Sequence, residues 1–191
     1  MTNKVFLASK SPRRYELLSM LGYENKVIVS DIDESAINDT DPASLVMKLA
    51  SLKGNAVKNL ATDQNTPIIS ADTIVVANGE VLGKPKGRED AKRMLKMISG
   101  RKHSVYTGYS VIAGGREYSG FEKTDVFVRE ISDSELNEYL DTSEPYDKAG
   151  AYGIQGKAGA FISGINGDYY SVVGLPICKI SSILNSIKRK A

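Results

Sequence analysis

The chain has 191 residues, 41% of them hydrophobic, enough for one full domain or one domain folded as two lobes. Its 25 Lys and Arg against 23 Asp and Glu leave a net charge of +2, too even for the basic stripe of a non-specific nucleic-acid binder. One cysteine, Cys178, and one histidine, His103, exclude an intramolecular disulfide, a Cys-rich zinc site and a His-rich metal site.

Val5 to Ala8 is the only apolar run near the N-terminus. It falls short of the roughly 7–15 residues of a signal-peptide core and the about 18 of a membrane span, so a cytoplasmic protein with no membrane segment is expected. Lys4 to Ala8 reads as a short buried strand, followed by Ser9-Lys10-Ser11-Pro12-Arg13-Arg14 and a helix carrying Leu17, Leu18 and Leu21 that ends before Gly22. Tyr23 to Val29 is a second strand, and the acidic stretch Asp31 to Asp41 a loop. Pro42 opens a helix whose apolar stripe is expected at Leu45, Leu49, Leu52, Ala56 and Leu60. Ile68 to Ala71 and Ile74 to Ala77 are strand runs interrupted by Asp72-Thr73, and Asn78-Gly79 turns the second run into Glu80-Val81-Leu82.

A third helix faces inward with Met94, Leu95 and Ile98 and stops at Gly100. Two longer strands, about His103 to Ala113 and Glu117 to Val128, are joined by Gly114-Gly115. Ser132 and Glu135 form a capping box for a helix through Leu140, and a glycine-rich stretch leads to a hairpin expected at Asn166-Gly167. The last helix starts at Pro176 with Ile177, Ile180, Leu184 and Ile187 on one face, and Lys188, Arg189 and Lys190 complement its dipole. Strands and helices alternate with hairpins among them, so a mixed α/β sheet in a single domain over 1–191 is expected, without a linker or repeat.

His103 reads as an ordinary strand side chain and Cys178 as core packing in the first turn of the last helix. The chain carries neither a Walker lysine loop nor a dinucleotide glycine fingerprint, which leaves carboxylates, basic residues and a hard metal for any chemistry. Helix N-terminal N–H groups attract anions, Ser9 and Ser11 add donors, and Arg13 and Arg14 add forks suited to phosphate. Arginine at a helix N-terminus opposes the dipole unless an anion is bound; the alternative is a serine cap with solvated arginines. Asp72 lies within an apolar run, where a carboxylate is costly unless it binds a metal or hydrogen-bonds; a turn between two strands is the other reading. Lys84 in Gly83-Lys84-Pro85 and Lys53 beside the stripe of the second helix are weaker candidates, and Glu34 sits in the acidic loop. In the stretch Glu144 to Gly156 the glycines let backbone approach a ligand, and Gln155 offers a donor and an acceptor to a base edge; a structural loop accounts for it equally.

Together Leu7 to Arg14, Ala71-Asp72-Thr73, Gly83-Lys84-Pro85, Asp147 to Gly156 and Gly167 to Pro176 resemble the Maf family of nucleotide pyrophosphatases, over nearly the whole chain. The resemblance implies an inosine-triphosphatase-type mixed α/β fold, a twisted sheet flanked by helices with two lobes around a cleft. It implies Mg²⁺- or Mn²⁺-dependent cleavage of nucleoside triphosphates between the α and β phosphates, and a homodimer; the even charge already points away from a nucleic-acid partner. The form Asp147 to Gly156 is similar to the branch acting on dTTP and UTP, rather than on 7-methyl-GTP. By resemblance Asp72 is the catalytic carboxylate and Arg13, Thr73 and Gln155 select the substrate, while Ser9, Arg14, Glu34, Lys53 and Lys84 line the site. Metal held by Asp72 and Glu34 is the accompanying expectation. Two rivals stand beside this reading. One is a nucleotide-binding regulator of cell division, since the family name derives from an effect on septum formation; the other is a hydrolase attacking the γ-phosphate.

Overall fold

The computed structural model describes residues 3–29, 31–34, 37, 39–63 and 65–189. Lys190 of the C-terminal basic trio, and Ser35, Ala36 and Asn38 of the expected acidic loop, lie outside the described residues. The strands are β1 (Lys4–Leu7), β2 (Glu24–Val27), β3 (Ile68–Ala77), β4 (Glu80–Leu82), β5 (Lys102–Ala113), β6 (Arg116–Val128) and β7 (Ile162–Asn166). The helices are α1 (Pro12–Met20), α2 (Pro42–Val57), α3 (Arg88–Ile98), α4 (Asp133–Leu140), α5 (Tyr169–Val173) and α6 (Ile177–Lys188). Three short 3₁₀ helices, Glu144–Asp147, Ala149–Ala151 and Lys157–Phe161, follow α4.

The strands form one seven-stranded mixed sheet in the order β2-β1-β3-β5-β6-β7, with β4 pairing β3. β1 runs parallel to β2 and β3, whereas the β3–β4 and β6–β7 pairs are antiparallel. The expected α/β class with a mixed sheet and flanking helices is what the chain adopts. The fold divides into two compact units: Met1–Asp72, Thr107–Glu122 and Gly174–Ala191 make the first, Thr73–Tyr106 and Lys123–Val173 the second.

In the first unit Ser11 caps α1 by accepting from the Arg14 N–H, with Pro12 at the first helical position. Asp41 caps α2 in the same way, accepting from Ser44 N–H at 2.9 Å. The buried face of α2 is Val46, Leu49, Ala50, Gly54 and Val57, which shares only Leu49 with the expected stripe: Leu60 lies beyond the helix and is exposed, and Leu45, Leu52 and Ala56 are half-buried. The cause is backbone proximity. A Cβ at Gly108 on β5 would lie 2.2 Å from the Val46 carbonyl oxygen, and one at Gly54 2.8 Å from Ser70 Oγ, so α2 is pressed against the sheet through its small residues. Ser70 Oγ donates to the Ala50 carbonyl at 2.6 Å and fixes the same contact.

The second unit packs α3 and α4 around a core that includes Leu82, Leu95, Ile98, Val126, Leu136 and Leu140. Asn78 and Gly79 both adopt left-handed φ, 51° and 79°, as a two-residue hairpin demands, and the Ser132–Glu135 capping box forms.

Three further expectations are corrected. β3 runs unbroken through Asp72-Thr73, so Asp72 is not a turn residue. Asn166-Gly167 does not turn a hairpin; β7 ends there and α5 begins two residues later, with Asp168 N–H held by Thr124 Oγ1 at 2.9 Å. Cys178 is exposed, because Ile177, Ile180 and Leu184 take the buried face of α6 and the adjacent position is rotated away from it.

Candidate active site

Seven of the ten expected site residues belong to the first unit: Ser9, Ser11, Arg13, Arg14, Glu34, Lys53 and Asp72. β1 delivers the chain to Ser9, whose position is set by the Ala8 N–H donating to the Ile69 carbonyl at 2.8 Å. Buried Ser9 Oγ accepts from Ser11 N–H at 3.2 Å and from Arg14 Nη1 at 3.0 Å. Arg14 Nε donates in turn to the Gly174 carbonyl at 2.8 Å, a partner 160 residues away that no local pattern could reveal. The arginine is therefore aimed by the fold, not solvated.

Burial holds the Arg14 guanidinium below its ordinary pKa; Asp72 opposes that effect, Arg13 adds to it and Glu34 opposes it weakly. A cation destabilised by burial and by a neighbouring cation is relieved by an anion beside it, and Asp72 supplies that relief in part. Arg13 lies half-buried in the same first turn of α1.

Asp72, buried in β3, meets Lys53 of α2: Lys53 Nζ lies 2.5 Å from Asp72 Oδ1 and 3.1 Å from Glu34 Oε2. The corrected phase of α2 explains this approach. Lys53 neighbours Gly54, where the helix comes close to β3, so its stem lies along the sheet and its ammonium reaches the strand carboxylate. Unlike Asp72, the Glu34 carboxylate is half exposed, 51%.

Glu34 and Asp72 thus converge on one cation. Among the described residues no group of three or more His, Cys, Asp or Glu could hold a metal alone. Two hard oxygen donors of this kind fit Mg²⁺ or Mn²⁺, whose remaining ligands are commonly substrate phosphates and water.

Thr73, Lys84 and Gln155 belong to the second unit. Thr73 is half-buried in β3, while Lys84 and Gln155 are exposed. Gly150 N–H donates to the Gly83 carbonyl at 3.0 Å, which ties the glycine-rich stretch to the segment bearing Lys84. Gln155 sits at the tip of a turn closed by Gly156 N–H to the Gly153 carbonyl, 3.0 Å. The glycines here make room for the protein's own side chains: a Cβ at Gly150 would meet Val75, at Gly153 Lys148, and at Gly156 Glu144. His103 is buried in β5, with Nε2 2.7 Å from the Tyr152 hydroxyl, a structural contact in the same unit.

Residues 4–187 match the family described as Maf-like protein. A protein of Alkaliphilus metalliredigens named dTTP/UTP pyrophosphatase is 47% identical over 184 residues, covering 95% of each chain. The chain belongs to the Maf-like family. A second member of that name, from Bacillus anthracis, is 44% identical over 177 residues, covering 93% of this chain and 92% of its own. Among solved structures, the Staphylococcus aureus Ham1 protein aligns with a TM-score of 0.46 at 18% identity, over 68% of this Maf-family chain and 72% of its own. Among the described residues no helix is long and apolar enough to cross a membrane.

Proposed function

We propose that this chain hydrolyses dTTP and UTP to the nucleoside monophosphate and pyrophosphate, with a divalent cation as cofactor. The observation that carries the reading is the meeting of Asp72, Glu34 and Lys53 in the unit that also aims Arg14 through Ser9 and Gly174. The relatives named dTTP/UTP pyrophosphatase support the substrate pair.

In this reading Ser9, Ser11 and the N–H groups opening α1 receive phosphate oxygens, and Arg13 and Arg14 neutralise charge that grows on the pyrophosphate leaving group. Asp72 takes the proton from water attacking the α-phosphorus, and Lys53 orients that carboxylate. Asp72 and Glu34 would hold Mg²⁺ or Mn²⁺, which supplies Lewis-acid polarisation of phosphoryl oxygens. Lys84 contacts phosphate, and Arg13, Thr73 and Gln155 select the base.

The test is product analysis after incubation with Mg²⁺ or Mn²⁺ and a panel of dTTP, UTP, CTP, ATP, GTP and 7-methyl-GTP. Monophosphate and pyrophosphate, formed fastest from dTTP and UTP, are expected. Asp72→Asn is expected to lose about 10²–10³ in turnover or more while keeping its fold, the order seen when one transition-state group is removed. A folded Asp72→Asn protein with normal turnover sinks the assignment, and diphosphate with inorganic phosphate moves the attack to the γ position.

A further inference from the structure

Glu144 opens a short 3₁₀ helix after α4, and its carboxylate is spent inside the protein. Oε2 accepts from the Lys157 N–H at 2.9 Å. Oε1 accepts from the Ala158 N–H at 3.4 Å and from the Tyr139 hydroxyl at 3.1 Å. Lys157 and Ala158 are the first residues of the 3₁₀ helix Lys157–Phe161, whose own N-cap, Gly156, has no side chain to satisfy those N–H groups. Glu144 therefore caps that helix from 13 residues upstream, with the favourable sign for a carboxylate at a helix N-terminus.

The capped end is the return leg of the turn that carries Gln155. Gly153 and Gly156 close that turn, and a Cβ at Gly156 would lie 2.2 Å from Glu144 Oε1. The missing side chain at residue 156 is what admits the carboxylate. On the outgoing leg, Lys148 Nζ donates to the Glu144 carbonyl at 2.8 Å, and the Lys148 stem underlies Gly153. Both legs of the Gln155 turn thus rest on Glu144, one through its carboxylate and one through its backbone.

We infer that Glu144 is a positioning residue for base selection: by clamping the N–H groups of Lys157 and Ala158 it fixes the turn that presents Gln155 to the base. The inference rests on the proposed role of Gln155 as selector. Glu144 itself touches neither substrate nor reacting atoms. Its loss changes which base is accepted and leaves the attack at phosphorus in place.

The experiment measures kcat and KM for dTTP and CTP on the full chain and on Glu144→Gln, Gln155→Ala and the double variant, with thermal melting as the fold control. Glu144→Gln keeps the shape but replaces one acceptor with a donor facing N–H groups. It is expected to lower the dTTP/CTP ratio of kcat/KM at least about tenfold, the order for one charge-assisted hydrogen bond, with kcat for dTTP within about twofold. In the Gln155→Ala background the same change is expected to move the ratio less than about twofold, because the two act as one unit. A Glu144→Gln protein with the wild-type ratio, beside a Gln155→Ala protein that has lost it, overturns the inference alone. Fully additive effects overturn it too. A wild-type ratio in Gln155→Ala removes the selector reading, and this inference with it. Should Glu144→Gln fail to fold, Gly156→Ala displaces the same carboxylate by its methyl group, and an unchanged ratio there is equally fatal.

Discussion

Replacing Lys53 with Met keeps most of the apolar stem and deletes the ammonium that lies 2.5 Å from Asp72 Oδ1 and 3.1 Å from Glu34 Oε2. The Lys53 and Asp72 side chains are 18% and 12% exposed, so this is a largely buried pair with one exposed companion. Deleting one member of a buried pair typically costs about 3–5 kcal/mol, because the survivor is left desolvated and unpaired. Arg14 lies in the field of Asp72 and makes up part of the missing charge, which brings the expected loss for Lys53→Met to about 2–3 kcal/mol. At about 2–4 °C per kcal/mol for a chain of this length, the melting midpoint falls by about 5–10 °C.

Asp72→Asn behaves differently. It removes the buried charge and leaves Lys53 with Glu34, so its stability is expected to change by less than about 1 kcal/mol. The double variant is expected to be about 1.5–2 kcal/mol more stable than the sum of the two single changes predicts. Urea unfolding of all four proteins, in EDTA so that no cation substitutes for the ammonium, measures this cycle. Additive effects, or a Lys53→Met protein within about 0.5 kcal/mol of the parent, would refute the account of Lys53 as the charge that makes Asp72 tolerable in β3.

Two further outcomes follow from the second unit. Burial pushes His103 down to about 4, so between there and its ordinary value of about 6.5 the unfolded chain binds a proton that the folded one refuses. Stability contributed by neutral His103 is therefore present above about pH 6.5 and is lost as pH falls towards 4, about 2–3 kcal/mol by pH 4.5. His103→Gln is expected to flatten that part of the stability–pH curve, and urea midpoints at pH 4.5 and 7.5 decide it; equal pH sensitivity in both proteins counts against the assignment. Gly156 has φ of −101°, a backbone any residue adopts, so Gly156→Ala suffers only from contact with Glu144. It is expected to lose about 1–3 kcal/mol through overpacking, and Glu144→Ala in the same chain to return part of it, read from denaturation midpoints.

Much of this was legible before the fold. The β1–α1 loop announced itself because its signals are local: Ser11 caps the helix that Pro12 opens, three residues before Arg14. Asn78-Gly79 and the Ser132–Glu135 box are local in the same sense. Asp72 was ambiguous because its justification is not local: a polar pair inside an apolar run looks like a turn until Lys53, 19 residues earlier, is seen to meet it. The face of α2 was misjudged because periodicity weighs large residues, whereas the small residues Ala50 and Gly54 lie on the face buried against the sheet. Glu144 gave one sign of its role, the glycines at 153 and 156, but these are as consistent with room for a ligand as with room for a carboxylate.

The first unit is built from three separate stretches of chain, and its last stretch, Gly174–Ala191, supplies the carbonyl that aims Arg14. During synthesis the residues bearing Ser9, Arg14, Lys53 and Asp72 emerge well before Gly174, so the Arg14 contact waits for a residue 160 positions downstream. Until Gly174 is made, the Arg14 guanidinium lacks the carbonyl that orients its Nε in the folded unit. Contacts this distant in sequence also slow folding and lengthen the time for which apolar surface of the first unit stays uncovered.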